Sequence, residues 1–107
     1  GPILNENLVH YIEKYNISEY INAVADIHYK LTVLHPFQDG NGRISRAFMN
    51  WLLRLKGLCP IYIDSSNKDD YLAALNKIDR ESDNTDLQII IIKGIINTMA
   101  ELHESWR

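Results

Sequence analysis

One cysteine, three prolines and five glycines are all that 107 residues contain of these types. Cys59 alone excludes an internal disulfide and a zinc cage built from thiolates. In its apolar setting, LKGLCPIYI, it reads as a small buried hydrophobe rather than a nucleophile. Long apolar runs are also missing. The most apolar stretch, QIIIIKGII, is too short to span a bilayer and carries Lys93, and no signal peptide is visible. A reduced, cytoplasmic setting is therefore expected, with no membrane partner. Basic charge is scarce too: 11 Lys and Arg stand against 14 Asp and Glu, for a net charge of −3. That balance argues against a broad nucleic-acid surface. Any phosphate site has to be local.

What is present is enough for a packed core. Hydrophobic residues make up 46% and charged residues 23%, the balance of a globular chain. No repeat or low-complexity linker divides it, so residues 1–107 are expected to form one domain. Gly1-Pro2 looks like a protease-cleavage scar, which suggests an excised core.

Helical spacing dominates the chain. Leu4, Leu8, Tyr11, Ile12 and Tyr15 predict a first helix over about 3–15. Ser18 is the expected N-cap of a second helix, with Tyr20, Val24, Ile27, Leu31 and Leu34 along one face. That helix must end by His35, because the residue before Pro36 is pushed out of the α region. Apolar positions resume at Ile44, Phe48, Trp51 and Leu55, and Gly57 stops that helix as its C′ residue. LCPIYI reads as a short extended link, and Ser66 or Asn67 opens another helix containing Tyr71, Leu72, Leu75 and Ile78. Thr85 with Gln88 predicts a capping box. The β-branched run that follows could form a strand, but Leu87, Ile91, Ile95, Met99 and Leu102 at helical spacing favour a long final helix. The expected fold is all-α, a bundle of about five helices.

The chemistry concentrates in HPFQDGNGRISR, residues 35–46. A β-hairpin would need alternating strands on both sides of Asn41-Gly42, and the flanks are helical. A calcium loop would need an oxygen ligand, a glycine and a glutamate where the chain has Arg43, Ile44 and Asn50. A Walker A loop would end in Gly-Lys-Ser or Gly-Lys-Thr, which is absent. What remains is a glycine-rich loop between two central helices, with Gly40 and Gly42 free to align N–H groups around an anion. The helix that begins near Arg43 adds the positive end of its dipole. Arg43 and Arg46 project from neighbouring turns, on a polar stripe with Asn50 and Arg54. Two guanidiniums over an anion nest suit a di- or triphosphate. Asp39 offers a hard oxygen ligand for magnesium, and His35 can accept a proton near neutral pH. Together they point to phosphoryl or nucleotidyl transfer to an incoming hydroxyl.

These residues match in full the signature of the Fic family, His-x-Phe-x-Asp/Glu-Gly-Asn-Gly-Arg-x-x-Arg. ADIHYKLTVLHPF before it, RAFMNWLLRLKGLCPIYI after it and DDYLAAL further on also resemble the family core, over roughly residues 4–80. The resemblance implies a Fic-type helical bundle and a protein adenylyltransferase, which moves AMP from ATP to a Ser, Thr or Tyr hydroxyl of a target protein. It implies His35 as the general base and Phe37 as a buried residue that holds the loop. It also implies Asp39 as the magnesium ligand and Gly40, Asn41 and Gly42 as the anion hole. Arg43 would hold the β-phosphate and Arg46 the γ-phosphate. Doc-type kinases of the family have Lys at the Gly42 position, and phosphocholine-transferring members have Ala at the Gly40 position. Neither change is present, so AMP transfer is favoured over those activities. UMP or GMP donors, and a nucleotide-binding module without transfer, stand as alternatives.

Tyr71 is a candidate for packing on the nucleobase or, equally, a core residue. His28, two turns before His35 on the same helical face, is expected to be a packed or hydrogen-bonded residue rather than a second catalyst. Two family features are not matched. The residues before His35 are filled by two helices, leaving no room for the target-clamping β-hairpin, so the chain by itself is expected to be a weak transferase. No Ser or Thr has Glu four residues on, as the family's inhibitory helix requires; Leu102 stands at that place after Thr98.

Overall fold

The computed structural model describes residues 16–34 and 39–105, with side chains described except at 39–41 and 104–105. The expected helix over 3–15 lies outside the described residues. Four helices are seen: α1, Ile17–Leu34; α2, Asp39–Leu55; α3, Lys68–Glu81; and α4, Thr85–Ser105. No strand occurs among the described residues, so the architecture is all-α. None of these helices is long and apolar enough to cross a membrane.

Several ends follow from local chemistry. Asn16 adopts φ 54°, and its carbonyl accepts the Tyr20 N–H at 3.3 Å, so α1 starts one turn-position before the expected Ser18 cap. The left-handed conformation, which Asn tolerates better than most residues, sets the entry of the chain. At its other end α1 is described to Leu34, and His35 and Pro36 lie outside the described residues. At the end of α2, Gly57 has φ 79°; its N–H reaches the Arg54 carbonyl at 2.9 Å, and the Leu58 N–H reaches Leu53 at 2.9 Å. That pair of bonds is a complete Schellman motif. Asn67 caps α3 as expected, but its amide serves the preceding link instead, accepting from the Asp64 N–H and donating to the Tyr62 carbonyl.

The helix α4 begins at Thr85, yet the expected Thr85–Gln88 capping box is replaced. Asp83 accepts the Thr85 N–H at 2.9 Å, and the Gln88 amide reaches back to the Asn84 side chain at 2.7 Å. Asn84 also donates to Asn22 of α1 at 2.7 Å, which ties the loop to the bundle. The short Asp83 side chain reaches the Thr85 N–H, and Asn84 draws the Gln88 amide away from a capping box.

Helix α1 packs on α2 and α4, and α3 packs on α4. The core joins Ile21, Val24 and Ala25 of α1 to Met49 and Leu53 of α2 and to Leu87, Ile91 and Ile95 of α4. A fully buried Leu or Ile side chain contributes roughly 1.5–3 kcal/mol relative to exposure. At the far end of the α1–α2 pair the Tyr20 hydroxyl donates to the Leu52 carbonyl, and Lys56 lies 5.5 Å above the Tyr20 ring.

Two expected faces are turned differently. On α1 the buried set is Ile17, Ile21, Val24, Ala25 and His28, while Ile27 and Leu34 are exposed. On α2 the expected core stripe, Ile44, Phe48, Trp51 and Leu55, faces outward, with Ile44 67% and Trp51 53% exposed. The core side is Ser45, Met49 and Leu53. This helix is apolar on two sides, and the side with small Ser45 lets α1 approach closely enough to bury His28. On α4, Leu102 is exposed, and Thr98 is buried with its hydroxyl on the Pro60 carbonyl at 2.7 Å.

The link 58–64 runs without regular structure and is held between α2 and α4. Asn50 grips Ile61 twice, accepting its N–H and donating to its carbonyl, each at 2.9 Å. On the other side Gly94 of α4 meets the Ile61 side chain so closely that a Cβ there would lie 2.7 Å from Ile61 Cγ2. Alanine at 94 gains about 1 kcal/mol in helix propensity. Against a clamped neighbour, overpacking costs about 1–3 kcal/mol. Gly94→Ala is therefore expected to lower stability by up to about 2 kcal/mol. Urea unfolding of the two proteins checks this, and a more stable variant would show that Ile61 is free to move away.

Candidate functional site

Of the motif residues, His35, Pro36, Phe37 and Gln38 lie outside the described residues, as do the side chains of Asp39, Gly40 and Asn41. The backbone of Asp39, Gly40, Asn41 and Gly42 is described, and it differs from expectation. It forms the first turn of α2 rather than a loop before a helix beginning near Arg43. Gly42 takes no left-handed angle. The physical reason is that glycine is costly in a helix interior but tolerable in a first turn, where the backbone is only half committed. Anion binding does not require the expected loop. The N–H groups of a first turn have no intrahelical partner and point out along the axis with the positive end of the dipole.

Arg46 and Gly42 are packed together. A Cβ on Gly42 would lie 3.1 Å from Nη1 of Arg46, so the guanidinium folds back across the first turn where a side chain would stand. Arg46 is half-buried and Arg43 exposed. Ser45 steadies the same turn by donating its hydroxyl to the Gly42 carbonyl at 3.0 Å.

Behind this turn lies a buried polar junction. His28 of α1 is 1% exposed. Its Nδ1 is 3.2 Å from the Ser45 carbonyl of α2, and its Nε2 is 2.7 Å from the Tyr71 hydroxyl of α3. The two rings are 5.7 Å apart and tilted. Burial pushes the His28 pKa down; the hydrogen bond to Ser45 opposes this and the charge of Arg46 reinforces it. Burial pushes the Tyr71 hydroxyl up, against the opposing charge of Arg46. The sequence offered Tyr71 as a nucleobase platform or a core residue. At 4% exposure, with its hydroxyl committed to His28, it is a core residue and presents no free ring face. His28 is packed and hydrogen-bonded, as expected.

Sequence reasoning missed the seat that Gly42 provides for Arg46 and the junction among His28, Ser45 and Tyr71. The i to i+4 spacing of Gly42 and Arg46 was the available signal for the first. Nothing in the sequence pairs His28 with Tyr71, 43 residues on.

Among the described residues no three His, Cys, Asp or Glu side chains gather as a metal cage. The first residue of α2 is Asp39. A separate cleft of about 350 Å³ between α3 and α4, lined by Asn67, Asp70, Asp86 and Lys93 among others, contains no motif residue.

Comparison with known proteins agrees with this placement. The Fic/DOC family model matches residues 3–53. "Protein adenylyltransferase Fic" of Drosophila mojavensis is 40% identical over 83 residues, covering 76% of this chain and 16% of that protein. The proteins of the same name from Nematostella vectensis and Drosophila melanogaster are 46% identical over 57 residues and 44% over 63. They are covered by 53% and 59% of this chain, which spans 13% of each. The chain thus spans under a fifth of the length of these relatives. The motif, the helices that carry it and these matches agree: the chain belongs to the Fic/DOC family.

Proposed function

We propose that this chain is the nucleotide-binding core of a magnesium-dependent protein adenylyltransferase that uses ATP to modify a hydroxyl side chain of a target protein. The observation that carries this reading is the Arg46 guanidinium seated over Gly42 at the amino end of α2. A cation lies there at the amino end of a helix, an arrangement that recognises phosphate oxygens. The relatives' name, protein adenylyltransferase, supplies AMP as the transferred group and protein as the acceptor.

In this mechanism the target oxygen attacks the α-phosphorus of ATP. A bond forms between that oxygen and phosphorus, the bond from the α-phosphorus to the bridging oxygen breaks, and pyrophosphate leaves with the electron pair. His35 takes the hydroxyl proton. The N–H groups of the first turn, contributed by Gly40, Asn41 and Gly42, hold the α-phosphate oxygens, while Arg43 and Arg46 hold the outer phosphates. Asp39 would hold magnesium, which would supply neutralisation of phosphate charge. Phe37 fixes the segment that carries His35. Little covalent work falls to the protein, so alignment and charge stabilisation supply the rate.

Asp39→Ala is expected to abolish the improvement in ATP binding that magnesium brings to the unaltered chain. Calorimetry with and without the ion checks this, and equal metal dependence in both proteins would remove Asp39 from the site.

The arginines and the histidine are expected to separate by step. Arg43→Ala or Arg46→Ala should weaken ATP binding by roughly 1.5–3 kcal/mol each, the worth of a charge-assisted hydrogen bond. His35→Ala should bind ATP nearly as well as the unaltered chain yet transfer no AMP, because a base acts on the target rather than the nucleotide. Mass spectrometry of a full-length protein carrying this core, after incubation with ATP and magnesium, reads the transfer. A His35→Ala protein that gained AMP at the normal rate would defeat the assignment.

A further inference from the structure

Two rows of large apolar side chains lie open on the same side of the α1–α2 pair. On α2 the row is Ile44, Phe48, Trp51 and Leu55, all exposed, with the Phe48 and Trp51 rings 5.4 Å apart. On α1 the row is Ile27, Leu31 and Leu34, whose spacing puts them on one face. Ile27 and Leu34 are exposed and Leu31 is half-buried. Tyr20 belongs to that face, and its hydroxyl donates to the Leu52 carbonyl of α2. The opposite flank of α1 is turned to the rest of the bundle: Asn22 accepts from Asn84, and Tyr29 donates to Asp79 of α3. The two rows therefore border one groove, on the side of α1 and α2 away from α3 and α4.

Apolar strips as continuous as this mark a surface that something covers. The chain itself approaches the groove at one end. Asn16 lies one turn before Tyr20, so the chain enters α1 where Leu52 and Leu55 lie. Its left-handed φ of 54° is the angle with which a residue ending one helix redirects the chain. Residues 3–15, ahead of it, lie outside the described residues. In sequence they carry Leu4, Leu8, Tyr11 and Tyr15, at the same successive intervals as Ile44, Phe48, Trp51 and Leu55. Each row would extend over about 16 Å of helix. The family match begins at residue 3, so this segment belongs to the matched core. A second copy fits less well, because two α2 rows laid antiparallel would bring the exposed Arg43 of one beside the exposed Arg54 of the other.

We propose that residues 3–15 fill this groove as a helix parallel to α2, with Tyr15 towards Leu55, Leu8 towards Phe48 and Leu4 towards Ile44. The direction follows from the chain. Helix α1 runs from the Leu52 end of α2 to the Ser45 end, and a segment that doubles back along α1 from Asn16 runs with α2. Its far end reaches Leu34 and Ile44, on either side of residues 35–43. The segment thus clamps together the two helices that flank the motif, whether or not the site holds a nucleotide.

Trp106→Phe leaves Trp51 as the one tryptophan, and acrylamide quenching of the 107-residue chain then reads its cover. Trp51 is expected to be quenched several-fold more slowly than free indole, equally at all protein concentrations. Adding Leu8→Asp should restore fast quenching, while Glu13→Gln, on the opposite side of the same helical spacing, should leave the protection in place. In the unaltered chain, NMR should show the Leu8 methyl protons close to the Phe48 and Trp51 rings, which decides the matter where Leu8→Asp does not fold. Fast quenching of Trp51 in the Trp106→Phe chain would leave the groove open for another protein and overturn the proposal. Protection that fades on dilution, as a second copy would give, overturns it too. So does protection that survives Leu8→Asp, or a Leu8 side chain without contacts to either ring.

Discussion

The burial of one imidazole sets the geometry of the bundle. His28 lies 1% exposed, where an unpartnered polar group would cost about 1–3 kcal/mol. Satisfying both ring nitrogens requires a carbonyl from α2 and a hydroxyl from α3 at fixed distances from α1. Apolar packing is tolerant of small slides; two hydrogen bonds to one rigid ring are not. Helices α1, α2 and α3 therefore meet in one register at His28. Among the described residues no buried side-chain nitrogen or oxygen lacks a hydrogen-bond partner.

A second constraint acts on the opposite side of α2. Asn50 holds both backbone groups of Ile61, which places the link 58–64 against Gly94 of α4. The link uses no ladder of its own. Its polar backbone is satisfied by side chains from the helices, including Thr98 on the Pro60 carbonyl. A single helix, α2, thus organises both the irregular link and the polar junction, through Asn50 and Ser45 respectively. Its outward stripe is free of both tasks, which is why large apolar residues such as Phe48 and Trp51 sit there, with ring centroids 5.4 Å apart.

Helix ends were legible wherever one residue decides the backbone. Gly57 ends α2 by a local backbone rule, and Asn67 stands at the start of α3 as its sequence position suggested. On α4 the expected row is buried at Leu87, Ile91 and Ile95 but exposed at Leu102. Faces were misjudged on α2, whose two apolar rows are told apart only by what packs against them. Ile44 and Trp51 are larger than Ser45, yet Ser45 faces the core because His28 needs its carbonyl. The motif reads as an anion site from its glycines and arginines, and that reading is carried by the proposal. That residues 39–42 are helical was not legible, since glycine spacing reads alike in a loop and in a first turn. Tyr71 could not be assigned from sequence because its partner lies 43 residues away.

The helical start at Asp39 also changes what the glycines do. In a loop, glycines would serve to reach left-handed angles. In a first turn that freedom is unused, and the absence of a side chain matters instead. At Gly42 the vacated space is filled by the Arg46 guanidinium, which comes within 3.1 Å of where a Cβ would stand. The arginine therefore reaches the amino end of its own helix from one turn further along, against the dipole that would otherwise repel it. The glycine supplies the room for that placement. A positive side chain held at the positive end of a helix is unfavourable for folding and favourable for a polyanion, and that opposition argues for a phosphate ligand at this turn.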